Sequence, residues 1–483
     1  MVRNFVSVIT RHWVILVGSI IALVALVMIL LLIVLHVMGF DGGAYLGIIT
    51  YMLLPMVFGL GLVLIPVGVW LRRRQEAAAA AHHESVPKAL PVIDLNNERT
   101  RGLLIVSVLV GMISTVLIAG ATVKGVKEME TVAFCGTVCH TVMEPEHVAF
   151  QRSPHSKITC ADCHIGSGAD WFVKSKISGS WQMVSVALDL YPRPVTSPVH
   201  SLRPARETCE QCHWPTKHVG DKLQVTTKFA DDEANTETKT VLLMKVGGQQ
   251  GTASTGIHWH VDRGVEIRYL TDATRQKIYD IEMTTPEGKK VFKTEATPDG
   301  PVEWRTMDCV DCHNRASHTF RSPEFELDLA LQEGRIDRSL PYIRREGARI
   351  LTEKVYESHE EARAGIAAAV QAFYAENYPD LAGTPAVEQA GVALGDAYTW
   401  NNFPHMKVTW NLYPNHIGHE ESPGCFRCHS NKIKTDSGER IGRKCSTCHE
   451  IVAEEESDSA LLQELGLQQP PPRAAATDEA SGT

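Results

Sequence analysis

Residues 135–164 begin Cys135-Gly136-Thr137-Val138-Cys139-His140, continue Thr141-Val142-Met143-Glu144-Pro145, and close on Cys160-Ala161-Asp162-Cys163-His164. Each cysteine pair is followed at once by histidine. The unit returns at Cys209/Cys212/His213, Cys309/Cys312/His313, Cys425/Cys428/His429 and Cys445/Cys448/His449. All 12 cysteines of the 483-residue chain are used in these six pairs. Histidine fills only 21 positions, so six histidines placed directly behind six pairs need a chemical cause.

Cys-x-x-Cys-His is the attachment unit of c-type haem. The two thiols form thioethers to the porphyrin vinyl groups, and the next residue, histidine, ligates the iron. Five pairs have this spacing. The first has three residues between its cysteines and is counted as a haem site because its neighbours otherwise match. Zinc ribbons do not demand a histidine behind every pair. Thioredoxin-like motifs need a βαβ context that is absent. Structural disulfides leave the histidines unexplained. Six covalently attached haems are therefore expected, with His140, His164, His213, His313, His429 and His449 on the irons. The haems would also supply buried apolar mass between 124 and 215, where apolar periodicity is weak.

Six-coordinate irons need a second ligand each. Eleven further histidines follow residue 124. His147, His218 and His359 lie on polar segments and read as ordinary solvated histidines. The best distal candidates are His155, five residues before the second motif, and His318, close behind the fourth. His258 and His260 flank Trp259 and would point the same way from a strand. His416 and His419 would share a face if helical. Met143, three residues after His140, is either a thioether ligand or packing. Two-histidine iron suits electron relay at low potential.

Three apolar runs precede the motifs, at about 13–39, 46–71 and 102–124. Each exceeds the roughly 20 residues a helix needs to span hydrocarbon. The first is too long for a signal peptide. Arg3 and Arg11, Arg72 to Arg74, and Arg99 and Arg101 flank the runs on one side, which sets the N-terminus inside. Residues 75–101 then form a cytoplasmic linker, and everything after the third run faces the periplasm of an inner membrane.

The expected fold is mainly α with little regular structure: three N-terminal transmembrane helices plus a periplasmic multihaem cytochrome c domain containing a small β-rich insertion. Residues 1–74 hold the first two helices. Residues 125–221 carry three motifs, and 306–452 carry three more. Between them, 222–305 is strand-like at 241–246, 265–271, 277–285 and 290–293, with a Thr285-Pro286-Glu287-Gly288 turn. Residues 341–378 and 385–398 read as helices. Residues 453–483 read as a disordered acidic, Pro/Ala-rich tail.

Charge divides along the same line. Residues 1–101 carry +3, and the rest carries −12 of the chain's total of −9. Nucleic-acid binding, which needs a basic face, is disfavoured. An acidic haem domain would instead steer in basic periplasmic partners.

The segment Phe134–Lys176, with Met143 and Pro145 between two motifs, resembles the NapC/NirT/NrfH family of membrane-anchored multihaem cytochromes c, in its longer inner-membrane form from metal-reducing bacteria. The resemblance implies that the first haem sits by the membrane and takes electrons from menaquinol or ubiquinol. It points to Met143 as that iron's ligand and to Lys176, with Lys174 behind it, at the quinol site. The family's acidic residue there has Asp170 and Asp189 as candidates. This chain departs in its first motif, its displaced methionine, its three membrane runs and its six motifs. Implied partners are the membrane quinol pool, the lipid bilayer, and periplasmic cytochromes c or reductases, with a homo-oligomer or a larger membrane complex as the assembly.

The function expected is a quinol dehydrogenase that relays electrons through its haems in anaerobic or extracellular respiration. Two alternatives stand beside it. One is a terminal reductase of nitrite, hydroxylamine or sulfur oxyanions. The other is a structural haem relay subunit with no quinol site.

Overall fold

The computed structural model describes residues 13–37, 54–81, isolated positions between 96 and 120, 123–138, 140–199, 203–214, 220–250 and 253–467. The described chain is mainly helical with some sheet. It divides into two compact units: residues up to 134 with 165–179, and 135–164 with 180 onward.

In the first unit, α1 spans Trp13–Val37 and α2 spans Leu54–Ala81. Among the described residues these two helices are long and apolar enough to cross a membrane. The expected third span, 102–124, lies for the most part outside the described residues. The helices pack through small residues, as chains do where lipid removes the hydrophobic drive for association. A Cβ on Gly18 would lie 2.8 Å from the Gly61 carbonyl oxygen, and one on Gly61 would lie 2.6 Å from the Ala22 nitrogen. α2 does not stop at the arginines. It runs on to Ala81, so the first part of the expected linker is helix.

In the second unit, α3 spans His140–Gln151. α4, Ala169–Ala187, joins the two units through the chain. Strands β1 (Lys222–Phe229) and β2 (Glu237–Met244) follow. Next come a small ribbon, β3 (Gly248–Gln250) and β4 (Ala253–Thr255), and then β5 (Glu266–Asp272), β6 (Ile278–Thr285), β7 (Gly288–Phe292) and β8 (Val302–Thr306). Four helices come next: α5 (Pro323–Gln332), α6 (Ile343–Glu353), α7 (His359–Asn377) and α8 (Pro385–Thr399). The last described elements are β9 (His449–Glu456) and α9 (Ala460–Glu464).

The stretch expected as one helix over 341–378 is two, broken between Glu353 and His359, where Ser358 caps α7 by accepting from the Glu361 amide. The chain is also not disordered from 453: β9 continues to Glu456, and α9 follows. Both owe their order to burial of Ala453 and Leu462 against Val241. The remainder of that expected tail, from 468, lies outside the described residues.

The sheets show why. β9 pairs antiparallel with β2, giving a three-stranded sheet ordered β1-β2-β9. The strand-rich region is thus completed by residues 449–456. The second sheet, ordered β7-β6-β5-β8, packs Ile267, Tyr269, Ile281 and Phe292 against Ile433 and the partly buried Cys428. α5 to α8 build the main apolar core around Leu327, Ile366, Val370 and Leu394, each with no exposed surface. Replacing Ile366 with alanine should cost about 2–4 kcal/mol through lost burial and a residual cavity. Thermal unfolding followed by far-ultraviolet circular dichroism should show the lower midpoint, with the haem content unchanged.

Candidate haem sites

Most motifs sit on single helical turns, which bring the cysteines at i and i+3 to one side. Cys160–His164 and Cys309–Cys312 are such turns, and Cys425 and Cys445 each lie in a 3-10 turn. The fourth turn is the most firmly held. Asp308 caps it while Asp311 reaches back to the Asp308 amide. Asp311 also accepts from the Tyr269 hydroxyl at 2.5 Å and the Arg305 Nε at 2.7 Å, which ties the motif to β5 and β8. The first motif, with its extra residue, falls instead on a wider π-helical turn, Phe134–Val138, running into α3. Cys139 lies outside the described residues.

The cysteines meet in chain order. The Cys135 and Cys160 thiols lie beside one another. Cys163 lies within electrostatic range of Cys209 and Cys212. Cys209 lies beside Cys309. Cys312 lies near Cys425 and Cys428, and Cys425 near Cys448. Each motif therefore neighbours the next.

Among the described side chains, which exclude that of His140, five motif histidines face a second histidine across a gap. Ring centroids are separated by 6.1 Å for His164 and His318, 6.1 Å for His213 and His155, and 6.4 Å for His313 and His258. The separations are 5.8 Å for His429 and His260, and 6.2 Å for His449 and His419. With metal–imidazole bonds of about 2 Å, two rings sharing one iron stand about 6 Å apart, so these gaps fit a ligated iron. Outer nitrogens are also occupied in the way that aims the inner one at a metal. Nδ1 of His155 faces the Ala316 carbonyl at 3.1 Å, that of His318 the Glu146 carbonyl at 3.0 Å, that of His260 the Ile257 carbonyl at 2.7 Å, and that of His429 the Gly442 carbonyl at 2.8 Å. Burial holds His164, His258, His260 and His313 below the usual imidazole range, in the neutral form a metal requires.

His258 and His260 do not lie on a strand. They sit on a 3-10 turn, Ile257–Val261, so they diverge and face two different motif histidines. The turn hangs from the end of β2: the Ile257 amide donates to the Lys245 carbonyl, and the His258 amide to that of Val246. The Lys245 amide donates in turn to the Cys448 carbonyl at 2.8 Å. One strand end thus positions the fourth, fifth and sixth sites.

His416 and His419 are not helical. His419 stacks on Phe426 at 4.2 Å and faces His449. His416 is buried, with Nε2 against Gln276 at 2.9 Å and Nδ1 against the Asp311 carbonyl at 3.1 Å. Both of its nitrogens are taken by protein groups. Burial, with Arg427 nearby, pushes it down to about 4.

Near the first motif, Met143 is partly buried on α3. The His147 ring lies against Gly136, where a Cβ would come within 2.5 Å of it. Glu144 reaches His405 at 3.3 Å and His359 at 3.9 Å. The sequence left these three histidines among the surplus; the contacts of His359 and His405 with Glu144 join distant segments.

In the first unit, Lys176 pairs with Glu130 at 3.7 Å and lies over the Phe172 ring at 4.8 Å. The acidic candidates read from the sequence were Asp170 and Asp189, whereas the carboxylate beside Lys176 is Glu130. Its one signal was its place five residues before Cys135. Lys174 lies over Trp171 at 4.3 Å. Asp189 is bound to Arg193 at 2.5 Å, and that bond holds its carboxyl below the ordinary range.

A chain so built matches known proteins in the same terms. Residues 97–193 match the NapC/NirT cytochrome c family, N-terminal region. The cytochrome c-type protein ImcH of Geobacter sulfurreducens is 39% identical over 449 residues, covering 91% of this chain and 87% of that protein. No solved structure matches. With covalent haem motifs and membrane-compatible helices on one polypeptide, this chain belongs to the NapC/NirT family of multihaem, electron-transferring cytochromes c.

Proposed function

We propose that this chain is an inner-membrane hexahaem quinol dehydrogenase. It oxidises menaquinol or ubiquinol and passes electrons through its haems to periplasmic cytochromes c or reductases. The observation that carries the reading is the set of five opposed imidazole pairs on motifs that neighbour one another in chain order. In this reading His318, His155, His258, His260 and His419 are the distal ligands of the second to sixth haems, and Met143 serves the first. His416 drops out because both its nitrogens are occupied. The haems supply one-electron acceptance and relay.

The residues around the donor site handle protons and position. Quinol releases two electrons and two protons. The Lys176 ammonium is placed to hydrogen-bond a quinol oxygen, and the Glu130 carboxylate beside it to accept a proton. Asp189, bound to Arg193 and held acidic, is the poorer acceptor. Ile177, Trp181 and Val184 form an exposed apolar stripe on α4, which suits contact with the bilayer surface. In this reading the basic clusters favour an N-terminus inside, and the apolar sequence at 102–124 supplies a third crossing that leaves the haem domain in the periplasm.

Five opposed imidazole pairs favour relay over terminal reduction, which needs an open iron position. Oxidised protein in detergent, mixed anaerobically with a reduced menaquinol analogue, should show rapid growth of the reduced α-band, blocked by a quinol-site inhibitor. No reduction by quinol, with reoxidation by nitrite or hydroxylamine after dithionite, would replace this function with a reductase.

Lys176→Ala should slow reduction by quinol by one or more orders of magnitude and leave reduction by dithionite intact. Equal quinol rates in variant and parent would remove Lys176 from the site.

His416 gives a pH prediction with a definite sign. Its folded pKa is about 4, against an ordinary value of 6.5. Below pH 6.5 the unfolded chain takes a proton that the folded one resists, so this stability is full above 6.5 and lost as pH falls towards 4. His416→Asn should flatten that part of the acid loss in thermal melts while leaving the number of low-spin haems unchanged.

A further inference from the structure

The helix that follows the first motif also reaches the second site. On α3, Glu146 accepts a hydrogen bond at its carbonyl from His318 Nδ1, at 3.0 Å. Its carboxylate Oε2 stands 3.2 Å from the same nitrogen. That oxygen is buried and makes no hydrogen bond of its own among the described residues. His155, His260 and His429 each have a backbone carbonyl at Nδ1, and none of them has a carboxylate there. Arg315 offsets part of the Glu146 charge but faces the other oxygen, Oε1, at 3.9 Å. The Arg315 guanidinium is held in place by stacking on Tyr413 at 4.2 Å and by a bond to the Ser197 hydroxyl at 2.9 Å.

We propose that Glu146 sets the reduction potential of the haem held between His164 and His318, keeping it below those of the other two-histidine haems. The inference rests on the ligand pairing proposed above. A carboxylate against the outer N–H of a ligating imidazole makes the ring a stronger donor. Stronger donation and nearby negative charge favour the ferric over the ferrous state. No proton moves and no bond breaks; the energy of adding one electron at that iron rises. The haem next after the membrane-side one is then a low-potential step, and one rigid helix couples the first two sites.

The test compares the full haem-loaded chain in detergent with Glu146→Gln, which keeps the size and removes the charge. Potentiometric titration at one fixed pH should show one of the six potentials shifted upward and the others unmoved, with the number of low-spin haems unchanged. Glu146→Asp, which keeps the charge, should shift that potential less. Six unmoved potentials in Glu146→Gln, or equal shifts in the two variants, would overturn the role of Glu146. His318→Met checks the pairing separately. It should convert one haem to histidine–methionine ligation, seen as a new near-infrared band. Unchanged ligation there would overturn the pairing and the inference with it. Converted ligation with unmoved Glu146→Gln potentials would overturn only the inference.

Discussion

Two imidazoles can share an iron only when their rings stand about 6 Å apart with an inner nitrogen of each turned to the gap, and much of this structure serves that requirement. The motif histidine comes to each site with its cysteines. The opposing ring must come from elsewhere in the chain. His155 lies before the second motif yet faces His213 of the third, and His318 lies behind the fourth yet faces His164 of the second. The strands act in the same cause. The end of β2 holds both the turn with His258 and His260 and the carbonyl of Cys448. Interleaving of this kind makes the sites mutually dependent: no three-motif segment contains all the groups facing its own motif histidines.

The local half of this arrangement was legible in the sequence, and the tertiary half was not. Cys-x-x-Cys-His is written in consecutive residues, so the attachment positions follow from spacing and chemistry. The surplus of histidines pointed to distal ligands without saying which served which iron. His258 and His260 show the limit. Alternation suggested a strand and a common direction, but glycine-bounded backbone at 256 made a 3-10 turn, and the two rings part. His416 and His419 show another limit: burial and two hydrogen-bond partners distinguish the first, and neither is visible in a one-dimensional pattern. The helices α7 and α8 were legible from apolar periodicity. The break before α7 depends on a serine cap, and the order past residue 453 on a strand partner two hundred residues away.

The first motif differs in its backbone: its extra residue is taken up by a π-helical turn, Phe134–Val138, while the side chain of His140 lies outside the described residues. In the proposed direction of flow this is where electrons enter. In that proposal the Lys176–Glu130 pair handles quinol protons, and Glu146, on the helix behind the first motif, contacts the imidazole facing the second. The membrane helices contribute position: Gly18 and Gly61 bring them close enough to form a firm anchor.

The central claim is that five irons are closed by a second histidine. Haem quantification combined with near-infrared magnetic circular dichroism of the oxidised, purified chain tests it most directly. The account requires six haems per chain, at least five of them low-spin with two nitrogen ligands. Fewer than five such haems, or more than one high-spin iron, would contradict it.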